Sequence, residues 1–232
     1  MTSKFIGYFL EEISTWQKRL SMVDQVIVCW FDVQRTWSHL ESIFIGSDDI
    51  RKQLPIDSQR FDDIDTEFKI LMIKMAKTPN VVIATNVDGL AEQLEGIQAQ
   101  LSLCEKALAE YLETKRLAFP RFYFASSNDL LDILSNGNQP IKVSKHLTKL
   151  FDCMAKLHLR EKEAKGLKMK PKGKMDALLP QGTVDPAKLS NNAYAMSSKD
   201  GEYVLFNHDC VCEGQVEEWL NKLMTTMRSS IR

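Results

Sequence analysis

The chain has 232 residues, a formal net charge of -1 and 26% charged residues, so it can bury a hydrophobic core but carries no overall charge that attracts nucleic acid or an anionic membrane. Its five cysteines stand at long, irregular spacings, which favours reduced thiols in an intracellular compartment over a disulfide framework. The sequence contains no apolar run long enough for a membrane span and no signal-peptide pattern, so we expect neither membrane insertion nor secretion.

The first predicted element is a helix over about residues 4–45. No Pro or Gly interrupts residues 8–45, and large apolar residues recur at steps of seven. They are Phe9, Trp16, Val23, Trp30, Trp37 and Phe44, with Ile13, Leu20 and Ile27 between them. This heptad seam predicts that partner helices cover the face. A helix of this length extends about 60 Å, which predicts an elongated molecule. Gln34 and Glu41 continue the seam as polar residues, and we interpret them as fixing helix register.

Two more long helices are predicted over about 56–78 and 89–118, after a short helix that opens at Asp48 and stops before Pro55. Short connectors between long helices predict antiparallel packing. Four acidic residues lie near the beginning of the 56–78 helix: Asp62, Asp63, Asp65 and Glu67. Because negative charge is favourable at a helix N-terminus, and no EF-hand spacing is present, we interpret them as a solvated helix face and not as a metal site.

An aromatic segment at the end of the third long helix predicts a sharp corner. Lys115 and Arg116 are favourable at a helix C-terminus, because cations stabilise the negative end of the helix dipole. Pro120 disfavours a helical conformation at Phe119, so the helix should end near Ala118. Residues 122–124 are predicted to form an extended aromatic patch, and residues 126–128 to cap the next helix. Since Phe and Tyr mostly serve packing, the segment favours a buried corner between helices over a ligand pocket.

The remaining elements are smaller. Short helices are predicted over about 128–135 and 143–153, followed by a basic, flexible loop over 161–191. A functional alternative for this loop is electrostatic contact with an acidic surface such as a filament, another domain or nucleic acid. Residues 192–232 predict a β-hairpin around Ser197–Gly201 and a C-terminal helix, with Lys156–Leu159 as a candidate third strand.

The predicted fold class is therefore mainly α: an elongated bundle of long antiparallel helices with a small antiparallel β-sheet or hairpin near the C-terminus. The helical bundle is expected over residues 1–160, and the hairpin and C-terminal helix over 192–232 are expected to belong to the same domain.

A search for chemistry finds no catalytic motif. The sequence lacks HExxH, GxSxG, CxxC and GxGxxG patterns, and Gly173-Lys174-Met175 lacks the upstream glycine and the hydroxyl of a phosphate loop. His208, Cys210 and Cys212 are three candidate zinc ligands, but no fourth accompanies them, and Cys-X-Cys is tighter than the usual spacing. We therefore predict no catalytic, cofactor-binding or metal-binding residue. A site assembled from distant residues remains a weaker alternative.

Several ordered segments carry a family resemblance. They are Val33–Phe44, Leu54-Pro55, Arg60-Phe61, Leu108–Leu134, Ser198–Leu205 and Gly214–Leu220. Over nearly the whole chain, the sequence resembles the linker region of dynein heavy chains, which precedes the AAA+ ring. It is most similar to axonemal heavy chains of the outer-arm β-like class.

The resemblance implies a mechanical function. In that family the linker is a lever that couples ATP-driven changes in the AAA+ ring to microtubule-based movement of cilia. ATP and magnesium belong to the ring, so no hydrolytic residue transfers to this chain, and we expect no enzyme activity in it. The implied partners are the AAA+ ring, the remaining heavy chain and other dynein subunits, with the microtubule contacted only indirectly and no nucleic acid or membrane. The implied location is the cytoplasmic cytoskeleton, in the axoneme of a cilium or flagellum.

Two further hypotheses remain open from the sequence. The chain could be a stand-alone helical scaffold or adaptor, derived from a dynein linker, that acts only by protein–protein binding. Within a lever, Ala118–Ser127 and Asn136–Pro140 are candidate neighbours of the bending point, because they interrupt packed helices with helix-breaking residues.

Overall fold

The computed structural model describes residues 6–162 and 189–232. In chain order the elements are α1 (Ile6–Phe44), α2 (Asp48–Gln53), α3 (Pro55–Ala76), α4 (Val81–Thr85), α5 (Leu90–Ala118), a 3₁₀ turn (Pro120–Phe124), α6 (Ser127–Ser135), α7 (Pro140–Ser144), α8 (Leu147–Leu150), β1 (Met154–Glu161), β2 (Leu189–Ser198), β3 (Tyr203–Val211) and α9 (Val216–Ile231). The predicted class is confirmed: the described residues are mainly helical, with a small antiparallel sheet near the C-terminus.

The chain divides into two compact units, Met1–Glu110 and Tyr111–Arg232. The division lies inside α5, whereas the sequence suggested a bundle over 1–160. Most of the predicted basic loop, 163–188, lies outside the described residues. The loop was predicted to extend through Asn191, but β2 begins at Leu189, because Leu189 pairs with Glu161 of β1.

Aromatic contacts fix the packing of α1 on α3 in the first unit. Phe44 stacks on Phe61 with ring centroids 5.4 Å apart, and the Trp37 and Trp30 rings lie 5.4 and 5.3 Å from that of Phe68. Later residues of α1 thus meet earlier residues of α3, so these two helices are antiparallel, as predicted. Rings at these separations add specific attraction to the area that they bury.

Helix α5 is also antiparallel to α3. Near its beginning, Gln93 Nε2 donates to Glu67 Oε1 at 2.8 Å, and further along, Cys104 Sγ lies 3.7 Å from the carbonyl oxygen of Asp57. The later residue of α5 again meets the earlier residue of α3. The predicted antiparallel arrangement of long helices therefore holds for α1, α3 and the part of α5 within this unit.

The buried stripe of α1 differs from the predicted seam by one position. The buried residues in the described part of α1 are Val26, Val33, Leu40, Ile43 and Phe44, and Trp30 and Trp37 lie between the first three of them. The prediction interleaved Ile27, Gln34 and Glu41 with the residues at steps of seven, and these interleaved positions are wrong, whereas Phe44 of the predicted seam is fully buried. Val33 and Leu40 follow Trp30 and Trp37 by three residues, not four, so Gln34 and Glu41 lie beside the buried stripe. Gln34 is exposed and Glu41 pairs with Lys69 of α3, so neither sets register from within a core.

The acidic residues of α3 have a structural role that the helix dipole does not explain. Helix α3 begins at Pro55, so these residues lie beyond its first turn, where the dipole effect has faded. Three of the four predicted residues instead accept hydrogen bonds from neighbouring segments, and Asp63 accepts from Gln59 of α3 itself. The pairs are Asp62 with Nη1 and Nη2 of Arg51 (3.0 and 2.6 Å), Asp65 with Trp37 Nε1 (3.0 Å) and Glu67 with Gln93. The Arg51 guanidinium lowers the pKa of Asp62, which keeps that carboxylate ionised.

The second unit contains the sheet, with strand order β1-β2-β3 and antiparallel pairing throughout. Ala195 of β2 lies opposite His158 on one side and Leu205 on the other. The turn between β2 and β3 contains Gly201 at φ 89°, in the region where glycine is favoured over residues with a Cβ. The predicted hairpin and the candidate third strand are both confirmed.

The predicted helix over 143–153 is wrong in its bounds. The structure has two short helices, α7 and α8, and then the chain becomes extended at Phe151. The break lies at Lys145 and His146, whose amides bond to carbonyls three residues back, at Lys142 and Val143. At this change to three-residue hydrogen bonding, His146 Nε2 contacts Asp132 of α6 at 2.6 Å. A local helical pattern in the sequence does not reveal this contact.

The aromatic packing of α3 generates a stability prediction. Phe68 is fully buried beneath Trp30 and Trp37, so Phe68→Ala should lower the free energy of unfolding by about 3–5 kcal/mol through lost burial and the remaining cavity. Ile73→Ala on the same helix is the control, because Ile73 is 59% exposed and should cost less than about 0.5 kcal/mol. Urea unfolding of the 232-residue chain measures both. Equal costs would contradict the assigned core.

Candidate functional site at the aromatic corner

The backbone of the corner is a tight turn. Helix α5 ends at Ala118 as predicted, and Phe119 is extended at φ -137° before Pro120 opens the 3₁₀ turn. The amide of Phe122 bonds to the carbonyl of Phe119 at 2.9 Å, and the amide of Ala125 bonds to that of Phe122 at 3.1 Å. The prediction of an extended patch over 122–124 is therefore wrong. Pro120 starts a helical turn well, because its missing N–H is not needed at that position.

The corner has a buried inner side. Phe119 and Phe122 are buried and meet edge to face, with centroids 5.0 Å apart. The Arg121 guanidinium lies 4.8 Å from the centre of the Phe151 ring and donates to the carbonyl of Leu150 at 2.9 Å. This side agrees with the predicted packed corner. Its contacts attach the turn to the chain that leads into β1.

The outer side of the corner is exposed, but hydrogen bonds connect it to α5. Tyr123 is half exposed, and its hydroxyl donates to Glu113 Oε1 of α5 at 2.5 Å. The Glu113 carboxylate raises the pKa of Tyr123, so the phenol stays protonated and continues to donate. Arg116 of α5 donates to Ser127 Oγ at the beginning of α6, at 3.1 Å. The last turns of α5 are thus connected both to the turn and to the next helix.

Helix α9 holds the corner from a second direction. Lys115 forms an ion pair with Glu217, and the two side chains are only 14% and 9% exposed. Asn221 Nδ2 donates to the carbonyl of Ala118 at 3.3 Å, the last residue of α5. The side chains of α9 therefore satisfy a charge and a carbonyl group at the point where α5 ends.

The same helix also holds the turn at Asn136–Pro140. Trp219 is fully buried, and its Nε1 donates to the carbonyl of Gly137 at 3.1 Å. A Cβ added at Gly137 would lie 3.3 Å from Cβ of Val216, so glycine permits the close approach of the turn to α9. The two segments that the sequence identified as neighbours of a bending point are therefore both attached to α9.

Sequence reasoning missed Glu217, Trp219 and Asn221 as the residues that hold these segments. Their partners lie 102, 82 and 103 residues away in the chain, which leaves no local pattern to find. One signal was present: Trp219 lies in the first turn of an amphipathic helix, on its apolar face, and a buried indole requires a hydrogen-bond acceptor.

A charged cluster joins α6 to the α7–α8 segment. Asp129 accepts from Lys149 Nζ and from Ser126 Oγ, each at 2.7 Å, while His146 contacts Asp132. The Lys149 ammonium and the Ser126 hydroxyl lower the pKa of Asp129 to about 2. Asp129 therefore remains a carboxylate throughout the physiological pH range.

The residues considered for metal chemistry lie in ordinary structural surroundings. Cys210 and Cys212 are buried, His208 is exposed, and Asp209 pairs with Arg160. The Cys210 sulfur and burial raise the pKa of the Cys212 thiol, which keeps it protonated. Within 6–162 and 189–232, no three His, Cys, Asp or Glu side chains converge as metal ligands would. Gly173-Lys174-Met175 lies outside the described residues, and the absence of catalytic, cofactor and metal residues stays a prediction.

Among the described residues, no helix combines the length and the apolar content that a membrane span requires.

Comparison with known proteins identifies the family. The family model for the dynein heavy chain, N-terminal region 2, matches residues 1–232. The chain is 60% identical over 232 residues to "Dynein beta chain, ciliary" of Heliocidaris crassispina and 55% identical over 232 residues to "Dynein axonemal heavy chain 17" of Homo sapiens. Each match covers 100% of this chain and 5% of the relative. "Dynein beta chain, flagellar outer arm" of Chlamydomonas reinhardtii is 46% identical over 224 residues, which is 97% of this chain and 4% of the relative.

The chain therefore belongs to the dynein heavy chain family, as the resemblance predicted, and corresponds to its N-terminal region 2. Its relatives are ciliary, flagellar and axonemal heavy chains that include beta-type chains. This confirms the predicted axonemal class and agrees with the predicted location in the axoneme of a cilium or flagellum. The chain spans about 5% of the length of these relatives.

The ion pair between α5 and α9 generates a prediction about stability. Lys115→Met should lower the free energy of unfolding by about 3 kcal/mol, because it leaves the nearly buried Glu217 carboxylate without its partner. The double variant Lys115→Met/Glu217→Met should recover most of this loss, since two apolar side chains can replace a buried pair. Lys106→Met is the control, because the Lys106–Glu110 pair is exposed and should contribute less than about 0.5 kcal/mol. A double variant less stable than the single variant would contradict the assignment.

The charged cluster generates a pH prediction. The pKa of Asp129 lies below its ordinary value near 3.8, so its contribution to stability is complete above about pH 4 and is lost as the pH falls towards 2. The difference in Tm between the wild-type chain and Asp129→Asn should therefore be largest above pH 4 and should shrink towards pH 2. Thermal melts across this range measure it, with the exposed Asp152→Asn as the control. A difference that stays constant from pH 5 to 2 would contradict the ion-pair assignment.

Proposed function

We propose that this region is part of the linker of an axonemal dynein heavy chain, a lever that couples ATP-driven changes in the AAA+ ring to microtubule-based movement of cilia. Membership of the family and the identity to ciliary beta-type chains support this proposal. The observation that carries it is the attachment of both the aromatic corner and the turn at Asn136–Pro140 to the single helix α9.

The attachment matters because a lever that deforms under load transmits less of the applied work. Close-packed interiors resist deformation, since any displacement opens gaps or forces side chains out of their preferred rotamers. In the second unit the corner is held by Tyr123, Arg116 and Arg121, and again by α9. Opening this corner requires the loss of several hydrogen bonds and an ion pair together. Such a joint transmits force with little compliance.

The same contacts change the expected position of bending. The sequence suggested that Ala118–Ser127 or Asn136–Pro140 adjoins the bending point. The contacts of Asn221 with Ala118 and of Trp219 with Gly137 favour another role. We propose that both segments are fixed joints within the second unit, because a rotation at either would break contacts with α9.

The chemistry that drives movement is proposed to lie elsewhere in the heavy chain. ATP and magnesium would be bound by the AAA+ ring, and this region would supply no catalytic, cofactor-binding or metal-binding residue. Its direct partners would be the ring and the remaining heavy chain, together with other dynein subunits. The microtubule would be reached only indirectly, and neither nucleic acid nor membrane would be a partner.

A motility experiment tests the proposed lever. In the complete heavy chain, Lys115→Met should slow microtubule gliding several-fold while the ATPase rate of the ring is retained, because the loosened joint absorbs part of the stroke. Lys115→Met/Glu217→Met should restore gliding, since it restores packing without the charges.

Lys106→Met, at the exposed pair on α5, is the matched control and should glide at the wild-type rate. Gliding at the wild-type rate in the single variant, with the loss of stability confirmed, would contradict a mechanical function for this joint. A parallel loss of ATPase and gliding would indicate damage to the motor as a whole and would also count against the proposal.

A further inference from the structure

Two buried cysteines lie at the end of β3. Cys210 pairs with Ala193 of β2. The amide of Cys212 bonds to the carbonyl of Asn191 at 2.8 Å, so the chain stays extended between the two cysteines. Alternate residues of an extended strand lie on the same face of a sheet. Cys210 and Cys212 are only 3% and 0% exposed, so both thiols lie on a covered face.

The two cysteine side chains are in contact. Cys212 Sγ lies 3.6 Å from the carbonyl oxygen of Cys210, so this side chain points back along the strand. The Cys212 thiol is also within hydrogen-bonding range of the Cys210 sulfur and lowers the pKa of Cys210, an effect that burial opposes and the Thr226 hydroxyl of α9 reinforces. The Cys210 sulfur and burial raise the pKa of Cys212. The pair therefore contains one sulfur biased towards the thiolate and one protonated neighbour.

The spacing of the two cysteines permits a disulfide, but a strained one. Residues two apart in an extended strand have Cα atoms about 6.4–6.8 Å apart. This separation is near the upper end of the range of about 4.4–6.8 Å that a disulfide bridges. Closing the bond therefore bends the end of β3. A strained disulfide is easily reduced, which is typical of regulatory bonds and not of structural ones.

A small oxidant can reach the pair from the edge of the sheet. In the described sheet β3 is an edge strand, and Val211, between the two cysteines, is 47% exposed. The pairing of β2 with β3 is irregular next to Cys210, since the register shifts between Ala193 and Ala195. Strand ends open locally more readily than a core. Brief opening of this end admits a molecule as small as hydrogen peroxide without unfolding the unit.

We propose that Cys210 and Cys212 form a redox site, a dithiol that hydrogen peroxide oxidises to a disulfide and that a cellular dithiol reduces again. In the first step the Cys210 thiolate attacks one peroxide oxygen, the O–O bond breaks, and the departing hydroxide takes up the proton that Cys210 has released. In the second step the Cys212 sulfur attacks the sulfenic sulfur of Cys210, and the leaving hydroxide takes the Cys212 proton. Two thiols thus lose two electrons, while one peroxide is reduced to two waters.

Oxidation of the pair changes the connection that begins α9. The bend that the disulfide requires moves the Cys212 amide away from the carbonyl of Asn191. Only residues 213–215 separate Cys212 from α9, whose first turn contains Trp219. The redox state of the pair thereby controls how firmly the beginning of α9 is held. The inference rests on contacts within the second unit and goes beyond the lever function.

Differential alkylation of the complete heavy chain tests the redox site. The native protein is treated with hydrogen peroxide, then denatured, alkylated with iodoacetamide and digested with trypsin. The tryptic peptide 200–222 contains Cys210 and Cys212 and no other cysteine. We expect this peptide to be unalkylated and about 2 Da lighter than the free dithiol. Treatment with dithiothreitol before alkylation should restore both alkyl groups.

Cys104 is the control in the same digest. It is as fully buried as the pair, and burial raises the pKa of its thiol, so it should remain alkylated after peroxide. Alkylation of peptide 200–222 to the same extent as Cys104 would overturn the proposal. Oxidation of Cys210 or Cys212 to a sulfinic acid without a disulfide would also overturn it.

Two single variants of the complete heavy chain test the roles of the two sulfurs. In Cys212→Ala the sulfenic acid of Cys210 has no resolving thiol, so dimedone should label Cys210 after peroxide, whereas the wild-type protein should stay unlabelled there. In Cys210→Ala, Cys212 should react at least about tenfold more slowly, because its thiol stays protonated. Equal rates in the two variants would overturn the assignment of Cys210 as the nucleophile. The wild-type alkylation result does not depend on the folding of either variant.

Hydrogen–deuterium exchange measures the effect of the pair on α9. In the complete heavy chain, amide exchange over residues 212–220 should be at least about threefold faster after peroxide than after dithiothreitol, because oxidation releases the end of β3. Peroxide should leave this exchange unchanged in Cys210→Ala, in which the disulfide cannot form. Equal exchange in the oxidised and reduced wild-type proteins, or the same acceleration in Cys210→Ala, would overturn the proposed control of α9.

Discussion

The buried indole of Trp219 is the constraint on which the packing of the second unit depends. Its side chain is fully buried, and its indole N–H donates to the carbonyl of Gly137. An unpaired buried N–H is costly, so the turn at Gly137 must stay where the indole requires it. Once α9 is held in this orientation, Glu217 and Asn221 on the same helix reach the end of α5. The aromatic corner and the distant turn are thereby positioned by one helix.

The first unit depends on a comparable arrangement of aromatic and polar contacts. Trp30 and Trp37 cover Phe68, and the indole nitrogen of Trp37 donates to Asp65 on the same helix as Phe68. A tryptophan thus supplies both the apolar contact and a directional bond between α1 and α3. Asp62, Asp65 and Glu67 of α3 therefore help to hold the first unit together through hydrogen bonds to other segments. They do not form a separate charged site.

Sequence reasoning succeeded where the controlling interactions are local. The end of α5 at Ala118 follows from Pro120, and the hairpin follows from its Asp-Gly turn. It failed where distant residues decide the outcome. The break between α7 and α8 coincides with the contact of His146 with Asp132 on another helix, and the buried side of α1 is selected by Phe68. The contacts of α9 with the corner and with the turn join residues 80 or more positions apart in the chain. Only the family resemblance therefore pointed to a mechanical role.

These observations and the ciliary relatives support the proposal that the region transmits force and contains no catalytic site of its own. The most direct test is a comparison of the complete heavy chain in two nucleotide states of its ring, with the structures superposed on α9. The account predicts that the Trp219–Gly137 and Lys115–Glu217 contacts persist in both states and that Ala118–Ser127 and Asn136–Pro140 superpose without rotation. Loss of either contact, with rotation of the corner or of the turn relative to α9, would contradict it.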